Sequence, residues 1–78
     1  NPLNRNSSLQ VLVQQTQTIQ IDLFNMSGKK IGNLFSGEIE GGFYKSISLE
    51  KLGNISSGLY VLSMKGMGVR INRKLIIE

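Results

Sequence analysis

Three observations predict an all-β fold: period-two alternation of apolar and polar residues, turn signals at roughly ten-residue spacing, and no useful stretch with apolar residues at i, i+3, i+4 and i+7. Six to seven short, mostly antiparallel strands in so small a chain bury their apolar faces by stacking into a sandwich or closing into a small barrel.

Leu9, Val11 and Val13 alternate with Gln10, Leu12 and Gln14, which predicts a first strand over about 8–14. From Thr18 to Leu23 the pattern is cleaner, with Ile19, Ile21 and Leu23 on one face and Gln20 and an outward Asp22 on the other. Asn25-Met26-Ser27-Gly28 supplies hairpin chemistry, because Gly accepts the positive φ of a tight turn. A third strand is expected over 29–35, weakened by Gly32, and Glu38-Ile39-Glu40 reads as an edge strand or a loop. A fourth, over about 42–49, sets Phe43, Lys45, Ile47 and Leu49 against Tyr44, Ser46 and Ser48. Leu49-Glu50-Lys51-Leu52 can close one helical turn, with Leu52 and Ile55 plugging the sandwich end. The long loop signals before Ser57 suggest a crossover between sheets of the Greek-key kind. A strand over about 58–65, a Gly66-Met67-Gly68 hairpin and a last strand from Val69 to Ile77 complete the domain.

Seventy-eight residues allow one small domain, 1–78. With 40% hydrophobic and 18% charged residues the chain is too apolar to be a disordered tail. It has no Cys for a disulfide and no His, so a zinc site would need carboxylates alone; no metal and no cofactor are expected. No apolar run approaches the roughly 20 residues of a spanning helix, and no membrane insertion is expected. The opening Asn-Pro-Leu-Asn-Arg-Asn-Ser-Ser has neither the apolar segment of a signal peptide nor an initiator Met, so we expect a domain cut from a longer secreted polypeptide. The net charge of +4 comes mainly from Lys placed singly or in pairs near turns; only Arg70, Arg73 and Lys74 cluster. Such scatter reads as a solvated surface, without a nucleic-acid partner.

Composition excludes Ser–His and Cys–His nucleophilic catalysis. A carboxylate pair would have to come from Asp22, Glu38, Glu40, Glu50 or Glu78, and Glu38 and Glu40 read better as guards of an exposed strand edge. Gly66-Met67-Gly68 joins two strands instead of opening a helix, so it is no dinucleotide loop. No catalytic residue is assigned. The informative part is the ending, where Ser57-Gly58-Leu59-Tyr60-Val61-Leu62 leads through a basic hairpin to Arg73-Lys74-Leu75-Ile76-Ile77-Glu78. A strand that ends flush with the chain can pair within a sheet and still present its last residues to another protein.

Taken in order, Asn1-Pro2, the strand Ile19 to Met26, Ser27-Gly28-Lys29-Lys30-Ile31, the Gly58-Leu59-Tyr60 strand and the closing Lys74-Leu75-Ile76-Ile77-Glu78 resemble the C-terminal sorting domain of type IX secretion cargo from Bacteroidota. The resemblance spans essentially the whole chain. One departure is the stretch from Leu49 to Gly58, which is longer than the family's compact Leu-x-x-Gly-x-Tyr and suggests a small loop insertion.

The resemblance implies an immunoglobulin-like β-sandwich that is never a catalyst. It implies recognition in the periplasm by the type IX outer-membrane translocon. A sortase-like peptidase then cuts upstream of the domain and joins the cargo to an anionic lipopolysaccharide, at the outer-membrane surface or outside the cell. Asn1, Pro2, Gly28, Lys29, Gly58 and Tyr60 are the matching family and turn positions. Residues Lys74, Leu75, Ile76, Ile77 and Glu78 are the candidates for translocon recognition, with Lys74 and Glu78 foremost. Ile31, Leu59, Val61, Leu75 and Ile77 are expected to serve the core, and Tyr60 to bury its ring with its hydroxyl at the sandwich edge. The last strand can be an edge or a fully paired central strand; at an edge it could also pair two copies into a weak dimer. Rival readings are a non-catalytic immunoglobulin-like spacer and a carbohydrate binder, the latter requiring Phe24, Tyr44 and Tyr60 to line up on one face.

Overall fold

The computed structural model describes residues 7–66 and 68–78, with Val69 described by its backbone alone. Asn1 and Pro2 therefore lie outside the described residues, as does Met67 at the tip of the last hairpin. Among the described residues, six strands form two antiparallel sheets: β1 (Ser8–Leu12), β2 (Gln17–Asn25), β3 (Lys30–Ile39), β4 (Tyr44–Ser48), β5 (Gly58–Gly66) and β6 (Val69–Ile77). One sheet has the order β3-β2-β5-β6, and the other is the β1-β4 pair. The result is sandwich-like, and the passage from β4 to β5 crosses between the sheets through a 3-10 turn at Leu49–Leu52.

The hydrophobic alternation places the core as expected. Ile19, Ile21 and Leu23 of β2 are buried together with Val11, Val13, Leu34, Ile39, Ile47 and Leu49 in one cluster, or with Tyr60 and Ile77 in a second. Leu52 and Leu62 touch both clusters and join them, while Ile55 closes the end of the second. Ser48 caps the 3-10 turn by accepting from the Glu50 N–H at 3.1 Å, and Gly53 ends it with φ 70°.

The β2–β3 hairpin is built on one side chain. Asn25 Oδ1 accepts from the backbone N–H of Ser27 (3.0 Å), the Ser27 hydroxyl (2.7 Å) and the backbone N–H of Lys29 (2.9 Å). Gly28, at φ 89°, supplies the left-handed residue, and its N–H donates to the Asn25 carbonyl at 3.0 Å. Lys29 follows, exposed, as the last residue before β3.

Several details differ from the sequence reading. The strand β1 stops at Leu12, and β3 runs on to Ile39 without breaking at Ser36-Gly37, absorbing the stretch read as a separate edge strand or loop. Irregular register between Ile21 and Asp22 and between Leu23 and Phe24 lets β3 follow β2 for its full length. Phe43, which the alternation sets on the face of Ile47 and Leu49, and Tyr44 are 62% and 71% exposed. Phe35 of β3 packs against the core cluster instead, with the Lys45 ammonium 5.7 Å from its ring centre.

Gly41 marks the tightest backbone approach between two loops. Its N–H donates to Thr16 Oγ1 at 3.0 Å, and the Gly42 N–H donates to the Val13 carbonyl at 2.8 Å. A Cβ on Gly41 would lie 2.7 Å from the Gln14 carbonyl oxygen and 2.8 Å from Gln15 backbone atoms, which cannot rotate away. Gly41→Ala should therefore destabilise the domain by about 1–3 kcal/mol, the range for forced backbone shifts. Thermal unfolding checks this, and an unchanged midpoint would mean the two loops separate at no cost.

Candidate functional site

The last strand lies at an edge. Strand β6 pairs only with β5, in unbroken register from Gly66↔Val69 to Gly58↔Ile77, and has no neighbour on its other side among the described residues. The strand pleat sends alternate side chains to opposite faces. Toward the core, Leu75 is half-buried opposite Tyr60, and Ile77 is 2% exposed opposite Gly58. Toward solvent, Lys74 lies opposite Val61 and Ile76 opposite Leu59. Lys74 and the following Glu78 are exposed. The inward residues hold the strand and the outward ones are displayed.

Gly58 opens β5 at φ 157°, a conformation that residues with a side chain rarely adopt, although a Cβ there would meet nothing closer than the Tyr60 ring at 3.9 Å. Tyr60 buries its ring beside Leu23 and Ile77, and its hydroxyl donates to the Ser56 carbonyl at 2.6 Å, fixing the loop that leads into β5. Of the residues expected in the core, Ile77 is buried and Ile31, Val61 and Leu75 are half-buried, but Leu59 is 41% exposed. Leu59 has the outward parity of β5, so with Ile76 (52% exposed) it forms an apolar pair on the solvent face. Phe24, Tyr44 and Tyr60 do not line up: Tyr60 faces the core, Phe24 the outer side of the large sheet, and Tyr44 belongs to the small one.

The basic cluster read from the sequence is divided by the pleat. Arg70 and Lys74 share the outer face, where Arg70 lies directly opposite Lys65, whereas Arg73 has core-facing parity opposite Leu62. No carboxylate lies within ion-pairing distance of these four cations among the described residues. Like charges placed opposite one another on a sheet are unfavourable, so the Lys65–Arg70 pair gives the outer face no internal stability.

A polar row crosses that outer face, Asn33–Asp22–Ser63–Asn72, one residue from each strand. Asp22 points outward as its parity requires, yet it is only 3% exposed, because β2 has a strand on either side and neighbouring side chains close over it. Its carboxylate accepts from Asn33 Nδ2 at 2.9 Å and Gln20 Nε2 at 2.8 Å and faces Lys30 Nζ at 3.4 Å. Burial alone pushes the carboxyl up, but the Asn33 and Gln20 hydrogen bonds and the Lys30 ammonium outweigh it and hold Asp22 below its ordinary value. The sequence offered no signal for this, because local alternation does not tell a central strand from an edge one.

Compared with known protein families, the whole chain, residues 1–78, matches the secretion system C-terminal sorting domain. The chain belongs to that family. Comparisons with curated proteins and with solved structures return no match. A sorting domain of the type IX system is a secretion signal, so the cargo it serves is destined for the cell surface or the outside. The sorting domain's family membership also sets aside the spacer reading, which shares the fold but not the family.

Because Asp22 is held below its unfolded value of about 3.9, its contribution to stability is present above that pH and is lost as pH falls through the folded value. Asp22→Asn keeps one acceptor but turns an amide toward the Gln20 donor and removes the charge facing Lys30. It should lower stability by about 1–3 kcal/mol at neutral pH and flatten the loss of stability below pH 4. Urea unfolding at pH 7 and pH 3 measures both. An acid limb as steep in the variant as in the parent would assign it to other groups.

Proposed function

We propose that the domain is the export signal read by the type IX outer-membrane translocon, and that the segment read is 74–78, on the free edge of β6. The observation that carries this reading is the division of labour along that strand: Ile77 anchors it in the core while Lys74, Ile76 and Glu78 stand exposed. The exposed Leu59–Ile76 pair beside Lys74 is the combination of apolar surface and charge that protein-recognition patches use. On this reading the domain is non-catalytic and is itself the substrate of a sortase-like peptidase, which cuts upstream of it during surface attachment of the cargo. The route runs through the periplasm to the outer-membrane surface or the medium, without nucleic acid or membrane insertion of the domain.

A periplasm-directed fluorescent protein carrying residues 1–78 at its C-terminus tests this in a bacterium with an active type IX system. The parent fusion should reach the surface or medium, and a version lacking 74–78 should stay in the periplasm. Since that truncation also removes the Ile77 anchor, the outward-only double variant Lys74→Glu/Ile76→Ser provides the decisive arm. It keeps the core intact and should still be retained. Export of the folded double variant at the parent level would overturn the assignment of the signal to this edge.

A further inference from the structure

The small sheet covers only part of the large one. Strand β4 packs over the β3 side, where the Leu49–Leu52 turn also rests. Among the described residues, strand β1 has no partner on the side away from β4. Beyond that unpaired edge runs an apolar groove in two adjoining sections, of about 320 and 440 Å³. Its floor is Ile21, Leu62 and Met64, and its mouth is set by Leu12 (50% exposed) on β1 and Ile71 (39% exposed) on β6. Within the apolar lining stands one cation. Arg73, on the core-facing side of β6, lines the groove, is exposed, and has no ion-pair partner among the described residues.

We propose that this groove seats one extended strand of a partner protein, apolar on its inward positions with a single inward carboxylate. The strand adds to the free edge of β1 as the third strand of the small sheet. An unpaired strand edge supplies backbone hydrogen bonds, Leu62, Met64 and Ile71 take alternate apolar side chains, and Arg73 takes the carboxylate. Charge complementarity selects this occupant over a second copy of the chain. Both strands that flank the groove, β1 and β6, lack any Asp or Glu, and β6 brings Arg70, Arg73 and Lys74. Two copies meeting here would set cation against cation. The proposal concerns the core side of β6 and does not depend on what reads the outward Lys74, Ile76 and Glu78.

The test is a titration of the 78-residue chain with two blocked eight-residue peptides that alternate Thr and Val. One Val position carries Glu in the first peptide and Lys in the second. Backbone amide shifts in the nuclear magnetic resonance spectrum should map to 8–12 and 70–75. The Glu peptide should bind at least tenfold more tightly than the Lys peptide, Arg73→Glu should reverse that preference, and Arg73→Gln should abolish it. Lys65→Glu makes the same change in net charge on the opposite face and should leave the preference intact. If Lys65→Glu also reversed the preference, the effect would be long-range charge and the seat would be lost.

Failure of both peptides to bind would overturn the proposal, as would binding seen only with a chain that begins at Ser7, which would give the groove to residues 1–6. Concentration-dependent dimerisation mapping to the same amides would give it to a second copy. Aggregation of the Arg73 variants without peptide binding by the parent would leave Arg73 as a guard of the edge and nothing more.

Discussion

The structure depends on β2. It is paired along both edges, with β3 and β5, and its inward residues Ile19, Ile21 and Leu23 lie in the core. Ile21 and Leu23 have no exposed surface, and Asp22 between them is sealed by Asn33, Gln20 and Lys30. Every other element takes its place from this strand. The β1-β4 pair joins segments far apart in the chain, and an isolated two-stranded sheet is marginal in water, so it is ordered by packing on the cluster that Ile19 and Ile21 begin. The second cluster is built from Leu23, against which Tyr60 and Ile77 close the far end of the large sheet.

That arrangement explains how a short chain can display a strand without losing it. A domain of this size buries only a little over half of its unfolded surface and has little stability to spare. Displaying β6 costs little because its inward residues Leu75 and Ile77 are still covered: full burial of a side chain such as Ile77 contributes about 1.5–3 kcal/mol. The exposed cations on the same strand discourage edge-to-edge association, which leaves the edge open to a partner of the right chemistry. A central placement of β6 would have kept the same inward residues and closed the backbone edge that β6 leaves unpaired among the described residues.

Much of this was legible in the residues. The alternation around Ile19, Ile21 and Leu23, the Asn-Met-Ser-Gly turn, the one-turn helix at 49–52 and the bounds of the last strand all follow from patterns a few residues long. What could not be read depends on which strands are neighbours. Asp22 looks solvated in a local pattern and is buried because β2 is central; Leu59 looks like core and is exposed because its parity is outward. Phe43 shares the parity of Ile47 and Leu49 yet lies outside, while Phe35, from another strand, packs on the core cluster. Among the candidate site residues, 74–77 were placed by sequence on one strand with Glu78 just beyond it, but their division into anchors and displayed positions needed the register with β5. The cluster of Arg70, Arg73 and Lys74 likewise belongs to two faces, which adjacency in sequence conceals.

The central claim is that β6 is a held but open edge, and amide hydrogen exchange along it tests that claim most directly. In an antiparallel pair alternate N–H groups point toward the partner strand, and the rest point away. On this account protection alternates from Arg70 to Ile77, with every second amide exchanging rapidly, while both sets of β2 amides remain protected up to the global stability. Uniform protection along β6 would mean that its outer edge is already covered, and would contradict the account of how this domain presents its signal.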